Sequence, residues 1–595
     1  MTTIIKHISY IFLNFGVEFD CTIEMAEYKS HIQQENILTT TQESCNILVD
    51  LLLQYGVKHA IVSPGSRNAP IIIALSRCKD IKKYTIVDER SAAFVAIGIA
   101  QQNNEPVAIV CTSGSAVLNY APAISEAFYQ QLPIIVISAD RPIEWLDQND
   151  SQTIKQYGIL QNIVKNSYDI PANFTDKSEQ WYCNRSINEA LQVATTLPKG
   201  PVHINVQLRE PLYERKPLTE TKSKVTRLFT PSASKECFKE FSKIINSNKK
   251  VLVLASMHSH CQELTDKLNA LSGKNIVVLS EIIANNNGEK IFHNIDRLFT
   301  EISKEDWNRL KPDLLITFGG APVSRLAKTH FRELSDIDHW RIGVDNGIID
   351  TMQNITHRIE TSPIEFFSSI ELENNVESSY FSEWQNLSIK ANTSHHTFIE
   401  NCDWSDLKAM SIIMKNLPSE NLNLQISNGS SIRYADILGV VPTFNGTVHC
   451  NRGVSGIDGS TSTALGASIA NINATTLFIT GDMSFSYDLN GLASQYNSER
   501  LKIIVLCNGG GGIFRFLNGP SDLPEFEEYF EVHKDIPTDK YAYAFGFEHL
   551  TANDEQSLQE SLAELLNNNK PTILAVHTNN KISASTLKSY YNRNK

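Results

Sequence analysis

The chain of 595 residues is longer than a single hydrophobic core organises, so roughly two to four domains are expected. With 42% hydrophobic and 20% charged residues and no sustained low-complexity tract, it is neither disordered nor fibrous. A net charge of −13 argues against a general polyanion-binding surface, and no nucleic-acid partner is expected.

In chain order, the N-terminal run 8–17 is interrupted by Asn14 and Gly16 and followed by Glu18 and Asp20. Without a small-residue cleavage site it makes a poor signal peptide. Residues 1–24 are expected to be a non-native or disordered extension, because Met25 opens a more typical polar lead into a first helix over 42–55. No apolar stretch approaches the about 20 residues that cross a bilayer, so no membrane span is expected. Strand-like runs at 59–62, 84–87, 107–111, 134–138 and 202–207 alternate with helical stretches such as 91–101, which makes a first α/β block over 39–213. The polar stretch 214–226 reads as a linker. A central α/β domain over 227–375 carries strands at 251–255, 276–279, 313–318 and 341–344. A third block over 378–595 carries them at 448–450, 476–479, 503–507 and 573–577. The fold class is α/β, with three doubly wound parallel sheets and no short residue repeat. The ten cysteines form no CxxC pair, and Cys111 and Cys507 lie in apolar runs, which reads as a reduced, cytoplasmic protein. His258, His260 and Cys261 read as a surface loop after the strand at 251–255 rather than a metal site, since no second ligand pair follows.

The strongest chemical signal lies in the third block. Gly481-Asp482 ends one strand and Asn508 ends the next. Ligands of parallel sheets bind outside the carboxyl ends of strands, so a carboxylate and an amide oxygen are expected in one crevice. Few, hard oxygen donors suit Mg²⁺ carrying phosphate oxygens and water. Gly509 to Gly512 are four consecutive glycines, which let a backbone carbonyl reach a metal and amides approach a diphosphate. A flexible loop after a buried strand explains the glycines alone, but not the Gly-Asp at the matching strand end.

These residues resemble the cofactor motif of the thiamine-diphosphate (ThDP) dependent enzymes, which runs from Gly-Asp-Gly to Asn-Asn. Met483 and Cys507 depart from that pattern. The resemblance implies metal coordination by Asp482, Asn508 and the Gly510 carbonyl, with Mg²⁺ or alternatively Mn²⁺. It implies cofactor contacts from Ser455, Gly456, Ile457, Gly481, Asp482, Met483, Ser484, Asn508, Gly510, Gly511, Ile513 and Phe514. In the first block, Val87-Asp88 is followed by Glu89 and a small, apolar helix over 90–100. A carboxyl beside N1′ of the aminopyrimidine is what this cofactor needs to form its reactive tautomer, so Glu89 is the expected catalytic and cofactor-binding acid. Taken alone, Glu89 also reads as a helix N-terminal charge favoured by the macrodipole.

Further runs are similar to one family in particular, the 2-succinyl-5-enolpyruvyl-6-hydroxy-3-cyclohexene-1-carboxylate synthases of menaquinone biosynthesis (the MenD family). They are Ser63-Pro64-Gly65-Ser66-Arg67, Asp88 to Ala92, Ala139-Asp140-Arg141-Pro142, Asn451 to Gly459 and Tyr487 to Leu492. The similarity runs from about Thr39 to His577. It implies a pyrimidine-binding domain over 39–213, a diphosphate-binding domain over 378–595, and a carboligase that decarboxylates 2-oxoglutarate and adds the four-carbon unit to isochorismate. Ser66, Arg67, Gln152, Arg325, Arg433 and Arg452 are the implied substrate contacts. Arg141 joins them because it sits, like the other arginines, beside Gly/Ser-rich strand ends, where guanidinium forks bind carboxylates. Ile457 is implied to wedge beneath the cofactor. Gly429 stands where the family often has Ser, and Ser324 where a second cation can occur. A homodimer or homotetramer is expected. Two other readings stay open: another ThDP-dependent carboligase of the acetolactate-synthase type, and a non-catalytic ligand-sensing protein of the same fold, against which Glu89 argues.

Overall fold

The computed structural model describes residues 37–593 except 173, 175, 219–222, 227–234, 335–336, 374–377, 442–443, 517–518 and 533. The expectations for residues 1–24 and the run 8–17 fall outside the described residues.

Short β-branched runs bounded by turn residues become strands covered on both faces by helices, a burial that parallel pairing requires. The result is three six-stranded, all-parallel sheets. From edge to edge the first runs Lys82–Thr85, His59–Val62, Val107–Cys111, Ile134–Asp140, Val202–Gln207 and Ser167–Ile170. The last runs Thr447–His449, Leu422–Ile426, Thr475–Gly481, Leu501–Cys507, Thr572–His577 and Glu548–Ala552. Numbered along the chain within each sheet, both follow the order 2-1-3-4-6-5, so the outer blocks share a topology although their residues show no repeat. The middle sheet follows 3-2-1-4-5-6, with Val251–Ala255 and Leu314–Phe318 at its centre.

Several boundaries differ from the sequence expectation. The strand expected at 84–87 is Lys82–Thr85, because Asp88 caps the helix Glu89–Asn103 by accepting from the Arg90 and Ser91 amides and the chain must turn before it. The strand expected at 341–344 is Asp338–Ile342. Ser167–Ile170, Leu422–Ile426 and Glu548–Ala552 were not expected, since Asp169, Asn423, Gln425 and Glu548 interrupt the apolar run that marks a buried strand. Within the stretch read as a linker, Arg215–Pro217 pairs antiparallel with Leu38–Thr40. The helix Ser379–Asn401 buries Tyr380, Phe381 and Trp384 against the middle sheet before Ile399 reaches the core of the last one.

The two outer sheets meet through the helices Glu89–Asn103 and Ser460–Ala470, whose residues share one core cluster with Phe478, Ile503 and Val505. Gly98 and Gly466 make the approach possible. A Cβ on Gly98 would strike the Thr463 carbonyl and the Ala467 amide, and one on Gly466 would strike the Val95 carbonyl.

Candidate active site

Parallel pairing delivers neighbouring strands to the same edge, so Thr475–Gly481 and Leu501–Cys507 bring Asp482 and Asn508 side by side. Asp482 is 3% exposed and opens the helix Asp482–Tyr487. Its Oδ2 accepts from the amides of Gly509 (2.8 Å) and Gly510 (3.0 Å), and its Oδ1 from the Met483 amide (2.7 Å). Gly509 and Gly510 have φ of 89° and 141°, conformations that L side chains rarely adopt, and this is what turns both amides toward the carboxylate. Burial pushes the Asp482 carboxyl up to about 7, and Asp406 adds to the shift, while the three amides oppose it.

Asn508 donates its Nδ2–H to Asp406 Oδ2 at 2.8 Å, and its Oδ1 is buried without a hydrogen-bond partner among the described residues. An orphaned amide oxygen beside a buried carboxylate is a donor set that fits a hard divalent cation. The Gly510 carbonyl accepts from the Gly512 amide at 2.8 Å and keeps its second lone pair. The Gly511 amide donates to the Glu531 carbonyl (2.7 Å), and Ile513 and Phe514 open the short helix Ile513–Phe516. The Phe514 ring meets Phe530 edge-on, with centroids 5.9 Å apart.

The loop from Asn451 to Gly459 lies against this edge and is held from three sides. The Asn428 amide donates to the carbonyls of Asn451 and Gly456. The Ser484 hydroxyl donates to the Ile457 carbonyl at 3.2 Å. From the first block, buried Glu126 of the helix Ala121–Gln130 accepts from the amides of Gly453 (2.7 Å) and Val454 (2.8 Å). Within this clamp Ser455 takes a φ of 64°, and Ser455, Gly456 and Ile457 are left partly or fully accessible.

Glu89 is the first residue of its helix and is partly exposed. Its carboxylate accepts from the Asn119 amide at 3.4 Å. Arg67 donates to the Leu208 carbonyl (3.0 Å) and pairs with Glu210 (3.2 Å). Arg141 donates to Asp150, to Ser113 Oγ (2.8 Å) and to the carbonyl of Gln152 (3.1 Å), a residue at φ 53°. The two guanidiniums feel one another, and Ser66 is exposed beside them. Among the described residues no hydrogen bond or ion pair joins Glu89, Arg67 or Arg141 to residues 481–514. The expected site residues thus lie on two blocks of the chain, a first group with Glu89, Arg67 and Arg141 and a second at the strand ends near Asp482, and the blocks touch beside Glu89, where Asp88 accepts from the Asn490 amide at 2.7 Å and Arg90 pairs with Asp488 at 3.1 Å.

Arg325, Arg433 and Arg452 belong to the second group and make no ion pair among the described residues. Arg325 is the first residue of the helix Arg325–Arg332 and Arg433 lies in the first turn of Ser430–Leu438, so both sit on helices that start at once where the strand-end turns stop. Arg452 is 8% exposed; one nitrogen reaches Asn428 Oδ1 at 3.3 Å and Nε is unpartnered. Burial and then Arg452 hold Arg433 below its ordinary range. Lys328, which sequence reasoning passed over, feels the same two arginines and donates to the Pro322 carbonyl at 3.3 Å. Its spacing of three from Arg325 was the available signal. Behind this group, Glu281 accepts from the amides of Val323 (2.7 Å) and Ser324 (2.8 Å), and the Ser324 hydroxyl donates to Asp296. These bonds set the start of the helix that carries Arg325 and Lys328.

A further cavity reaches the Asn451–Gly459 loop at Gly453. It has a volume of about 550 Å³ and opens at the carboxyl edge of the middle sheet between Ser256, Gly319 and Arg341, whose charge Asp345 meets at 2.9 Å.

Two family descriptions match the chain: thiamine pyrophosphate enzyme, N-terminal TPP binding domain, over residues 44–159, and thiamine pyrophosphate enzyme, C-terminal TPP binding domain, over residues 438–576. The chain is 39% identical over 550 residues to the 2-succinyl-5-enolpyruvyl-6-hydroxy-3-cyclohexene-1-carboxylate synthase of Flavobacterium johnsoniae, a match covering 91% of this chain and 97% of that one. It is 35% identical over 563 residues to the protein of the same name from Porphyromonas gingivalis (92% and 97% covered). With that from Cytophaga hutchinsonii it shares 37% over 524 residues (86% and 92% covered).

Proposed function

This chain belongs to the 2-succinyl-5-enolpyruvyl-6-hydroxy-3-cyclohexene-1-carboxylate synthase family of thiamine-diphosphate enzymes, and from that premise we propose that it decarboxylates 2-oxoglutarate and adds the remaining four-carbon unit to isochorismate in menaquinone biosynthesis. The observation that carries the reading is the Asp482–Asn508 pair, a buried carboxylate and an orphaned amide oxygen at adjacent strand ends. Mg²⁺, or Mn²⁺ in its place, would be held there by Asp482, Asn508 Oδ1 and the Gly510 carbonyl, beside a glycine run whose lack of side chains leaves room for a diphosphate. When bound, thiamine diphosphate supplies the electron sink through which a 2-oxo acid loses CO₂.

The chain's own residues do the rest. Glu89 would hold a proton at N1′ of the aminopyrimidine, and Ile457 would pack against the cofactor. The two substrates together carry four carboxylates, and cations without acidic partners answer that demand. Arg325, Arg433 and Arg452 are unpaired among the described residues, while Arg67 and Arg141 can exchange the surface acids Glu210 and Asp150 for a substrate. Gln152 and Ser66 add hydrogen bonds.

Glu89, Arg67 and Arg141 make no hydrogen bond or ion pair to the cation-holding loop of their own chain among the described residues, and a facing copy completes each site, in a homodimer or a dimer of dimers. Apolar side chains exposed beside the two groups support this: Val87 (75%), Leu118, Val454 and Tyr487. Unpaired cysteines fit a cytoplasmic location.

The test is incubation with thiamine diphosphate, Mg²⁺, 2-oxoglutarate and isochorismate, with mass analysis of the product and CO₂ release compared for 2-oxoglutarate and pyruvate. The 2-succinyl adduct is expected, and preference for pyruvate would overturn the assignment. Glu89→Gln is expected to abolish turnover while cofactor affinity, measured by fluorescence titration, stays near that of the parent protein.

A further inference from the structure

Asp482, Asn508 and Gly510 do not by themselves settle how the amide is turned. An asparagine amide can present either its oxygen or its NH₂ to a cation, and only the oxygen binds. Asn508 is presented with the oxygen free because its Nδ2 is already committed to Asp406 Oδ2 at 2.8 Å. Asp406 is itself fixed. It is the first residue of the helix Asp406–Lys415, 2% exposed, with Oδ1 accepting from the Thr578 hydroxyl and its backbone amide donating to Ser583 Oγ at 3.0 Å. Thr578 follows the strand Thr572–His577, which pairs directly with Leu501–Cys507, so the threonine that anchors Asp406 and the amide that Asp406 orients follow adjacent strands. Carboxylates are acceptors only, so Asp406, when ionised, cannot receive the amide oxygen in place of its nitrogen.

We infer that Asp406 is a positioning residue for the metal site: it locks the Asn508 side-chain amide in the flip that turns Oδ1 toward the cation. The inference rests on the reading of Asp482 and Asn508 as cation ligands. Groups behind a metal ligand usually change affinity about 10–100-fold when removed.

Mn²⁺ binding to the full-length protein with thiamine diphosphate, read by electron paramagnetic resonance, gives the test without recourse to turnover. Asp406→Ala is expected to lose affinity about 10–100-fold. Because that variant also opens a hole at a helix start, a volume-conserving exchange of the two side chains accompanies it. In D406N/N508D the amide moved to the helix start can donate to the carboxylate moved to the strand end and still accept from Thr578, so an oxygen again faces the cation. The exchanged pair is expected to bind Mn²⁺ more tightly than N508D alone, in which two buried carboxylates confront each other. Undiminished affinity in a folded Asp406→Ala, or an exchanged pair no better than N508D, overturns the role of Asp406. Failure of the unsubstituted protein to take up Mn²⁺ overturns the metal site itself.

Discussion

At the scale of single residues, the unpaired cations are the most informative. Lys328 stands three positions after Arg325 on one helix, so both point from the same face, and the charge absent at Ser324 returns one turn later. Its ammonium has a single carbonyl acceptor at 3.3 Å and no ion pair among the described residues. Lys328→Met is expected to raise KM for one of the two acidic substrates about tenfold, equivalent to ~1.4 kcal/mol, with kcat much less affected. Steady-state kinetics with each substrate varied in turn checks this, and unchanged KM values for both would place the side chain outside the site. His203 offers a pH test unconnected with catalysis. Burial lowers its pKa from 6.5 to about 4, so the folded state resists its protonation. The stability this contributes is complete above pH 6.5 and drains away as pH falls toward 4. Melting curves over that range should show the parent protein losing stability relative to His203→Gln, and parallel curves would contradict the buried neutral imidazole.

At the scale of elements, the helix pair Glu89–Asn103 and Ser460–Ala470 decides where the outer sheets stand. Intrinsic propensity favours Ala over Gly in a helix by about 1 kcal/mol. At Gly98 the contact reverses that preference, because the added methyl would meet backbone rather than a movable side chain. Gly98→Ala is therefore expected to destabilise the protein by about 1–3 kcal/mol, seen as a lowered denaturation midpoint. A stabilised variant would mean the helices do not approach so closely. In the sequence these glycines look like ordinary weak points of a helix, since nothing local announces a backbone neighbour from a distant part of the chain. Gly481-Asp482 and Asn508 are different. Strand ends and glycine runs are local features, and a parallel sheet converts them into proximity with little further information.

At the scale of the molecule, one chain presents two groups of site residues with exposed apolar side chains beside each. Val87→Asp is expected to weaken self-association and activity together, because it buries a charge in the face beside Glu89. Sedimentation velocity of the parent protein and the variant checks this, and a fully active monomer would refute the shared site.

The sequence by itself determined the fold class, the Gly-Asp and Asn at adjacent strand ends and the acid that opens the helix after the second strand-like run, because each rests on local periodicity or on contiguous residue types. The specific family was also legible, from runs such as Asn451 to Gly459. Only the tertiary structure decided that the outer sheets share the order 2-1-3-4-6-5, that Glu126 clamps the loop at Gly453 and Val454, and that Asp406 holds the Asn508 amide. The reason is physical: these depend on which strands pair and which helix ends face them, and pairs far apart in the chain are selected by burial of whole faces rather than by any pattern within a segment.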